Sequence, residues 1–266
     1  WYAERKEMQR KMHEAGDNEI EREYWDKRQL VKKINLNSLY GAILNPGCRF
    51  FDMRIGQSVT LTGRCITKHM GAKVNEIVAG KYDHVGESII YGDTDSVYFS
   101  AHKTLKKEVD AGQIPWGKDN VIGLYDKIAD EVNTTFSGFM SKAFHCPTTR
   151  GSVIKAGREL VAVKGLFITK KRYAVLYYDK EGERVDTAGK EGKVKAMGLD
   201  LKRSDTPVFV QDFLSDVLYQ VLTGETEEHV LKAISDFRAD FKARPGWEKG
   251  SPKRANNVTD YWEKEK

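Results

Sequence analysis

Lys33, Asn37, Tyr40 and Gly41 stand at offsets of 0, 4, 7 and 8. On a helix of about 3.6 residues per turn this spacing puts all four on one face. The face offers a cation, an amide, an aromatic ring and a gap, which suits a nucleotide: ammonium for phosphate, a flat ring against sugar and base, and a glycine where a side chain would block close approach. A solvated lysine and a core tyrosine on an ordinary amphipathic helix give the same spacing, and on spacing alone that plainer reading is favoured. Asp93 and Asp95 lie in Tyr91-Gly92-Asp93-Thr94-Asp95-Ser96, between two apolar half-strands. Two carboxylates at a hairpin tip can reach one divalent-ion site, and hard oxygen ligands with open positions suit Mg²⁺ bound together with substrate phosphates. Gly and Asp are equally good turn formers, so this segment alone leaves both readings open. An EF-hand does not fit, because its downstream Gly and Glu positions are not filled.

Lys170, Lys171, Arg172 and Tyr173 form a basic cluster that runs into the apolar stretch Ala174 to Tyr178. Read as one strand, Lys171 and Tyr173 face one side while Lys170 and Arg172 face the other. A phosphate backbone could follow this segment; a solvated edge strand protected by lysines is the competing reading. Lys202 with Arg203 and Lys253 with Arg254 add two basic pairs. The histidines (His13, His69, His84, His102, His145 and His229) have no HExxH or paired ligand spacing. There is no GxxxxGK[ST] or GxGxxG phosphate loop and no GxSxG elbow, which argues against P-loop, Rossmann and serine-hydrolase classes.

These residues need elements to position them. Good helix formers dominate Tyr2 to Met12 and Glu19 to Leu44, with Gly16, Asp17 and Asn18 as turn chemistry between them, which predicts a helical hairpin stopped at Asn45, Pro46 and Gly47. A further helix is predicted over about Gly56 to Val78, a β-hairpin over Ser88 to Phe99, and a helix over Asn120 to Met140. Strands are predicted at Val153 to Val163 and Phe167 to Tyr178, then helices at about Thr206 to Leu222 and Glu225 to Phe241. The last twenty residues, rich in Lys, Asn, Gly and Pro, read as an exposed extension.

With 266 residues the chain is long enough for one or two domains with a buried core. Its 40% hydrophobic, 31% charged composition describes a soluble globular protein. No apolar run of about 18 residues and no signal-peptide pattern is present, so no membrane entry is expected. A net charge of +5 permits a polyanionic partner without demanding one. Cys48, Cys65 and Cys146 stand far apart, so neither a disulfide framework nor a zinc module is indicated. The first residue is Trp1, inside a charged segment that already reads as helical, and the chain is expected to be a piece of something larger.

Taken jointly and in this order, Lys33-x-x-x-Asn37-Ser38-Leu39-Tyr40-Gly41, Tyr91-Gly92-Asp93-Thr94-Asp95-Ser96 and Lys170-Lys171-Arg172-Tyr173 resemble the signature motifs of family B DNA polymerases. The run Lys33 to Gly41 and the stretch Met197-Gly198-Leu199 look most like the phage replicative members. The resemblance spans nearly the whole chain. It implies an α+β fold with fingers over 1–45, palm over 46–198 and part of a thumb over 199–266. Lys33 matches a lysine that contacts the incoming triphosphate, Asn37 and Tyr40 match residues at the nascent base pair and templating site, and Gly41 joins them as a nucleotide-binding candidate. Asp95 matches the principal metal ligand, Asp93 its partner, and Glu159 a further carboxylate near the metals. Lys171 and Tyr173 match a motif that holds the primer terminus, with Lys170 and Arg172 beside them; Lys202, Arg203, Lys253 and Arg254 become candidate DNA contacts. Arg5 resembles an arginine that grips the triphosphate. Where the family commonly has a lysine four residues later this chain has Gln9, leaving Arg10 or Lys11 to substitute.

The implied cofactor is Mg²⁺ as two ions, with Mn²⁺ as the alternative. The implied partners are primer-template DNA, dNTPs, the rest of a polymerase and a sliding clamp, in a host cell's cytoplasm. The family's motif Asp-x-x-Ser-Leu-Tyr-Pro-Ser, which carries another essential aspartate, has no counterpart here. The expectation is therefore a catalytic-region fragment or half of a split polymerase. A rival is a DNA-binding or assembly half with no turnover of its own; another is a palm-bearing enzyme such as a reverse transcriptase or nucleotide cyclase, which the Asn-Ser-Leu-Tyr-Gly helix speaks against.

Overall fold

The structure, a computed structural model, describes residues 1–187 and 189–250 except for the Lys202 side chain. The chain divides into two compact units, Trp1–Lys68 and His69–Lys266.

In the first unit, α1 (Tyr2–Glu14) and α2 (Glu19–Ile43) form the expected helical hairpin. Asn18 starts α2: its side-chain oxygen accepts the Glu21 amide at 3.3 Å, and its side-chain NH₂ donates to Glu21 Oε2 at 3.4 Å. This satisfies one of the amides that a helix start leaves without an internal partner. Across the hairpin Arg5 Nε donates to Gln29 Oε1 at 3.2 Å, and Lys32 pairs with Glu4 at 2.5 Å. Neither helix has a buried residue. After α2 the Gly47 amide donates to Asn45 Oδ1 at 2.9 Å, a side-chain turn that ends the helix where the sequence places its stop. The next helix, α3 (Met53–Ala79), begins in the first unit and ends in the second.

The second unit opens with β1 (Ile89–Asp93) and β2 (Ser96–Phe99), paired antiparallel with Asp93 opposite Ser96. The buried Asn75 of α3 fixes the entry to this hairpin, because its Oδ1 accepts both the Ser88 amide at 3.1 Å and the Ser88 hydroxyl at 2.7 Å. The short α4 (Lys106–Asp110) precedes α5 (Lys118–Phe144), which buries Val121, Ile128, Val132, Phe136 and Met140 at helical spacing. The single-turn α6 (Thr148–Gly151) follows. An antiparallel sheet is then built from β3 (Leu160–Thr169), β4 (Arg172–Lys180), β5 (Glu183–Arg184) and β6 (Lys193–Met197), with β4 flanked by β3 on one side and by β5 and β6 on the other. A 3₁₀ turn (Asp200–Lys202), α7 (Val208–Thr223), α8 (Glu227–Ala243) and α9 (Gly246–Lys249) complete the described chain. Ala174 and Leu176 of β4 share a core with Ala196, Leu201 and Leu222, while Val161 and Tyr178 pack against Val121 of α5.

The mixed helical and antiparallel-sheet fold is as expected, but the strands are shifted. Residues 153–159 are not a strand: the Ala156 backbone exchanges both its hydrogen bonds with the side chain of Asn133 on α5, at 2.7 and 2.9 Å, which takes the place of a neighbouring strand. Nor does the second strand run from Phe167. Residues 167–169 belong to β3, and Lys170-Lys171 form the turn into β4. The strand-based division of Lys170 to Tyr173 into two faces therefore does not hold. Lys171 has φ +63, the left-handed region used at tight turns.

Candidate active site

The tip of the β1–β2 hairpin is the two-residue turn Thr94-Asp95. Thr94 has φ +46, uncommon for a β-branched residue and a sign that surrounding contacts hold the turn. Its hydroxyl donates to Asp93 Oδ1 at 3.2 Å, and the Ser96 hydroxyl donates to the Asp93 carbonyl at 3.2 Å. Asp95 is exposed and Asp93 is partly buried.

The β3–β4 turn reaches this tip. The Lys171 backbone amide donates to the Tyr91 hydroxyl at 2.7 Å, and Lys171 Nζ lies 3.6 Å from Asp93 Oδ2. Tyr91, Tyr98, Phe167 and Tyr173 form one aromatic cluster between the two hairpins, with ring centroids 5.2 to 6.2 Å apart. Offset and edge-to-face rings at this spacing attract beyond the area they bury. The Tyr98 and Tyr173 hydroxyls meet at 3.1 Å. Burial, followed by the Tyr173 hydroxyl, pushes the Tyr98 phenol well above its ordinary range, so it stays neutral. Tyr173 itself is buried in this cluster, whereas Lys170, Lys171 and Arg172 are exposed.

Glu159 lies immediately before β3 and pairs with Lys195 of β6 at 2.6 Å; its charge is among those that raise the Tyr98 phenol. Beside it, the nearly buried Arg158 guanidinium ties the sheet to α5: Nε donates to Asp126 at 2.6 Å, and a second nitrogen donates to the buried Asp179 of β4. Such a partner offsets the cost of burying the Asp179 carboxylate.

In the first unit, α2 is continuous through Lys33, Asn37 and Tyr40, so the predicted spacing does place them on one face. Lys33 and Asn37 are exposed, and the Tyr40 hydroxyl donates to the Gly56 carbonyl at 3.4 Å. Gln29, the acceptor of Arg5, is one turn before Lys33. Of the two substitutes for the expected lysine, Arg10 is paired with Glu7 and Glu14, and Lys11 lies over the Trp25 ring at 4.6 Å.

Among the remaining candidates, Arg203 is exposed and makes a two-point ion pair with Asp205 at 2.7 and 2.9 Å. Lys202 falls in the 3₁₀ turn, and Lys253 and Arg254 lie outside the described residues. No three His, Cys, Asp or Glu residues form a metal-holding group among the described residues. No helix among them is long and apolar enough to cross a membrane.

The sequence model of DNA polymerase family B matches residues 1–115 and 152–245. The chain belongs to that family. The DNA-directed DNA polymerase of Escherichia phage RB69 is 30% identical over 244 residues, covering 88% of this chain and 26% of that protein. That of Enterobacteria phage T4 is 28% identical over 255 residues, covering 89% of this chain and 27% of the phage protein. The DNA polymerase delta catalytic subunit of Oryza sativa subsp. japonica is 29% identical over 240 residues, with 88% and 19% covered. This family B chain thus spans about a quarter of the length of these two phage proteins.

The sequence reading missed the residues that join the motifs. Tyr98 and Phe167 were legible only as apolar strand positions, because their role depends on two hairpins meeting. Arg158 and Lys195 carry no spacing signal, since their partners lie 21 or more positions away, and Gly198 was legible only as part of the Met197-Gly198-Leu199 resemblance, not as a neighbour of the Lys171 turn.

Proposed function

We propose that this chain supplies part of the catalytic region of a polymerase that adds deoxynucleotides from dNTPs to a primer 3′-hydroxyl under template direction. The observation that carries the reading is the meeting of the Asp93–Asp95 tip with the Lys171 turn, which puts the Asp93 carboxylate and a cation side by side. In this reading residues 1–45 are fingers, 46–198 palm and 199–266 part of a thumb.

The tip fits divalent ions that keep water and substrate phosphates as ligands. Asp95 is exposed and makes no ion pair among the described residues, and Asp93 offers a second hard oxygen donor. Asp95 and Asp93 would hold Mg²⁺ or Mn²⁺, with Glu159 and an aspartate from the family motif that this sequence does not contain as further carboxylates. Bound there, two divalent ions supply Lewis-acid charge that favours ionisation of the primer hydroxyl and departure of pyrophosphate. Lys33 and Arg5 bind the triphosphate and offset its negative charge. Asn37, Tyr40 and Gly41 present a flat, narrow face to the base pair, so sequence is chosen by pairing and the protein senses its shape. Lys170, Lys171 and Arg172 hold the primer strand through phosphates, and Tyr173 keeps their turn in place from beneath.

Primer extension tests this, with Mg²⁺ and four dNTPs, using the chain alone and the chain mixed with a polypeptide that carries the upstream aspartate motif. Extension in the mixture that disappears with Asp95→Ala is the expected result. Salt-sensitive DNA binding with no extension in either case would leave only the non-catalytic assembly reading.

A further inference from the structure

The left-handed Lys171 has two close contacts, one on each side of the turn. Its amide donates to the Tyr91 hydroxyl at 2.7 Å. Its carbonyl faces Gly198, which is left-handed too at φ +65. A β-carbon at Gly198 would run into the Lys171 carbonyl oxygen, with the carbonyl carbon at 3.1 Å and Arg172 Cγ at 3.2 Å. Backbone cannot swing aside as a flexible side-chain end can. Gly198 directly follows β6, whose Met197 sits opposite Tyr173, so the register of the sheet delivers this glycine to the turn.

We propose that Gly198 is a positioning residue for Lys171. Its missing side chain lets the end of β6 close on the turn. Together with the Tyr91 hydroxyl on the amide, this holds the Lys171 ammonium beside Asp93, where it can meet a DNA phosphate. The inference rests on the reading of Lys171 as a phosphate contact, and goes beyond it by assigning the device that aims the lysine.

Gly198→Ala, Gly198→Asn and Tyr91→Phe are compared with Lys171→Ala for binding to a primer–template duplex over a range of salt. Asn tolerates the left-handed backbone, so Gly198→Asn isolates the effect of the β-carbon if Gly198→Ala fails to fold. Each is expected to lower the slope of log affinity against log salt by about one, as loss of one phosphate contact does. Combined with Lys171→Ala, each is expected to lower it no further. A wild-type slope in folded Gly198 variants, or losses that add to that of Lys171→Ala, overturns the proposal and leaves Gly198 a packing residue. Hydrogen exchange at the Lys171 amide reads the same device without DNA. Exchange about tenfold faster in the Gly198 variants is expected, and unchanged protection contradicts the proposal. If the unsubstituted chain binds no duplex in a salt-dependent way, the reading of the site fails instead, and exchange alone decides whether Gly198 sets the turn.

Discussion

The α1–α2 hairpin and the junction of the β1–β2 and β3–β4 hairpins both carry candidate site residues but hold them by different means. On α2 the side chains of Lys33 and Asn37 stand exposed on a helix without a buried residue, and helical periodicity alone aligns them. At the junction Asp93, Asp95 and Lys171 sit in two tight turns with left-handed residues, and four aromatic rings join the hairpins beneath them. A helix face sets the order of its groups and leaves their side chains free to follow a ligand. A pair of braced turns sets the position of each group and tolerates little change. Substitutions on the helical hairpin should therefore act locally, whereas substitutions at the junction and its supports should reach chemistry or the folding of the whole second unit.

The largest effect expected is that of Asp95→Ala, a loss on the order of 10³-fold or more in extension rate with DNA binding retained. A loss below about tenfold would put the tip on a level with the helix face. Arg158→Ala comes next. It leaves the buried Asp179 without its cation and should cost about 3 to 5 kcal/mol, read as a lower urea midpoint for the second unit. Asn18→Ala should cost about 1 kcal/mol and weaken only the helical hairpin, measured by its helical signal on heating. An equal loss in the second unit would erase the contrast between the two regions.

The smallest effect concerns pH. The neutral His69 ring is fully engaged: the Thr135 hydroxyl, which donates to the Val132 carbonyl, accepts from Nε2–H at 2.9 Å, and Tyr82 donates to Nδ1 at 2.8 Å. Burial, then the charge of Lys73, holds the imidazole below its usual value of 6.5, with Glu76 acting in the opposite sense. The unfolded chain therefore binds this proton more readily than the folded one. Its contribution to stability is present above pH 6.5 and is lost as pH falls through the lower folded value. Urea midpoints should fall on acidification from about pH 7.5 to about pH 5.5, and fall less in His69→Gln.

Much of the fold is legible in the sequence because its signals are local. The caps and stops around α2, the helical stripe of α5 and the Asp93–Asp95 turn all follow from residues a few positions apart. The strand bounds after residue 153 are not legible, because Val153 and Ile154 have strand chemistry while Asn133 on another element takes the backbone hydrogen bonds of Ala156. The turn at Lys170-Lys171 escapes for the same kind of reason: neither residue signals a turn, and its acceptor Tyr91 lies 80 positions away. The candidate site residues could thus be named from their motifs, but not that Tyr91, Tyr173 and Gly198 would meet at one turn.

In the proposed function the Asp93–Asp95 tip and the Lys171 turn act as a single metal-and-DNA site. Ferrous ion added to the chain with primer–template DNA, followed by peroxide, cuts backbone close to wherever the ion binds. Paired cuts near residues 92–96 and 169–172 are expected, competing away with Mg²⁺ and vanishing in Asp95→Ala. Cuts confined to one of the two segments, or unchanged in Asp95→Ala, would contradict that proposal.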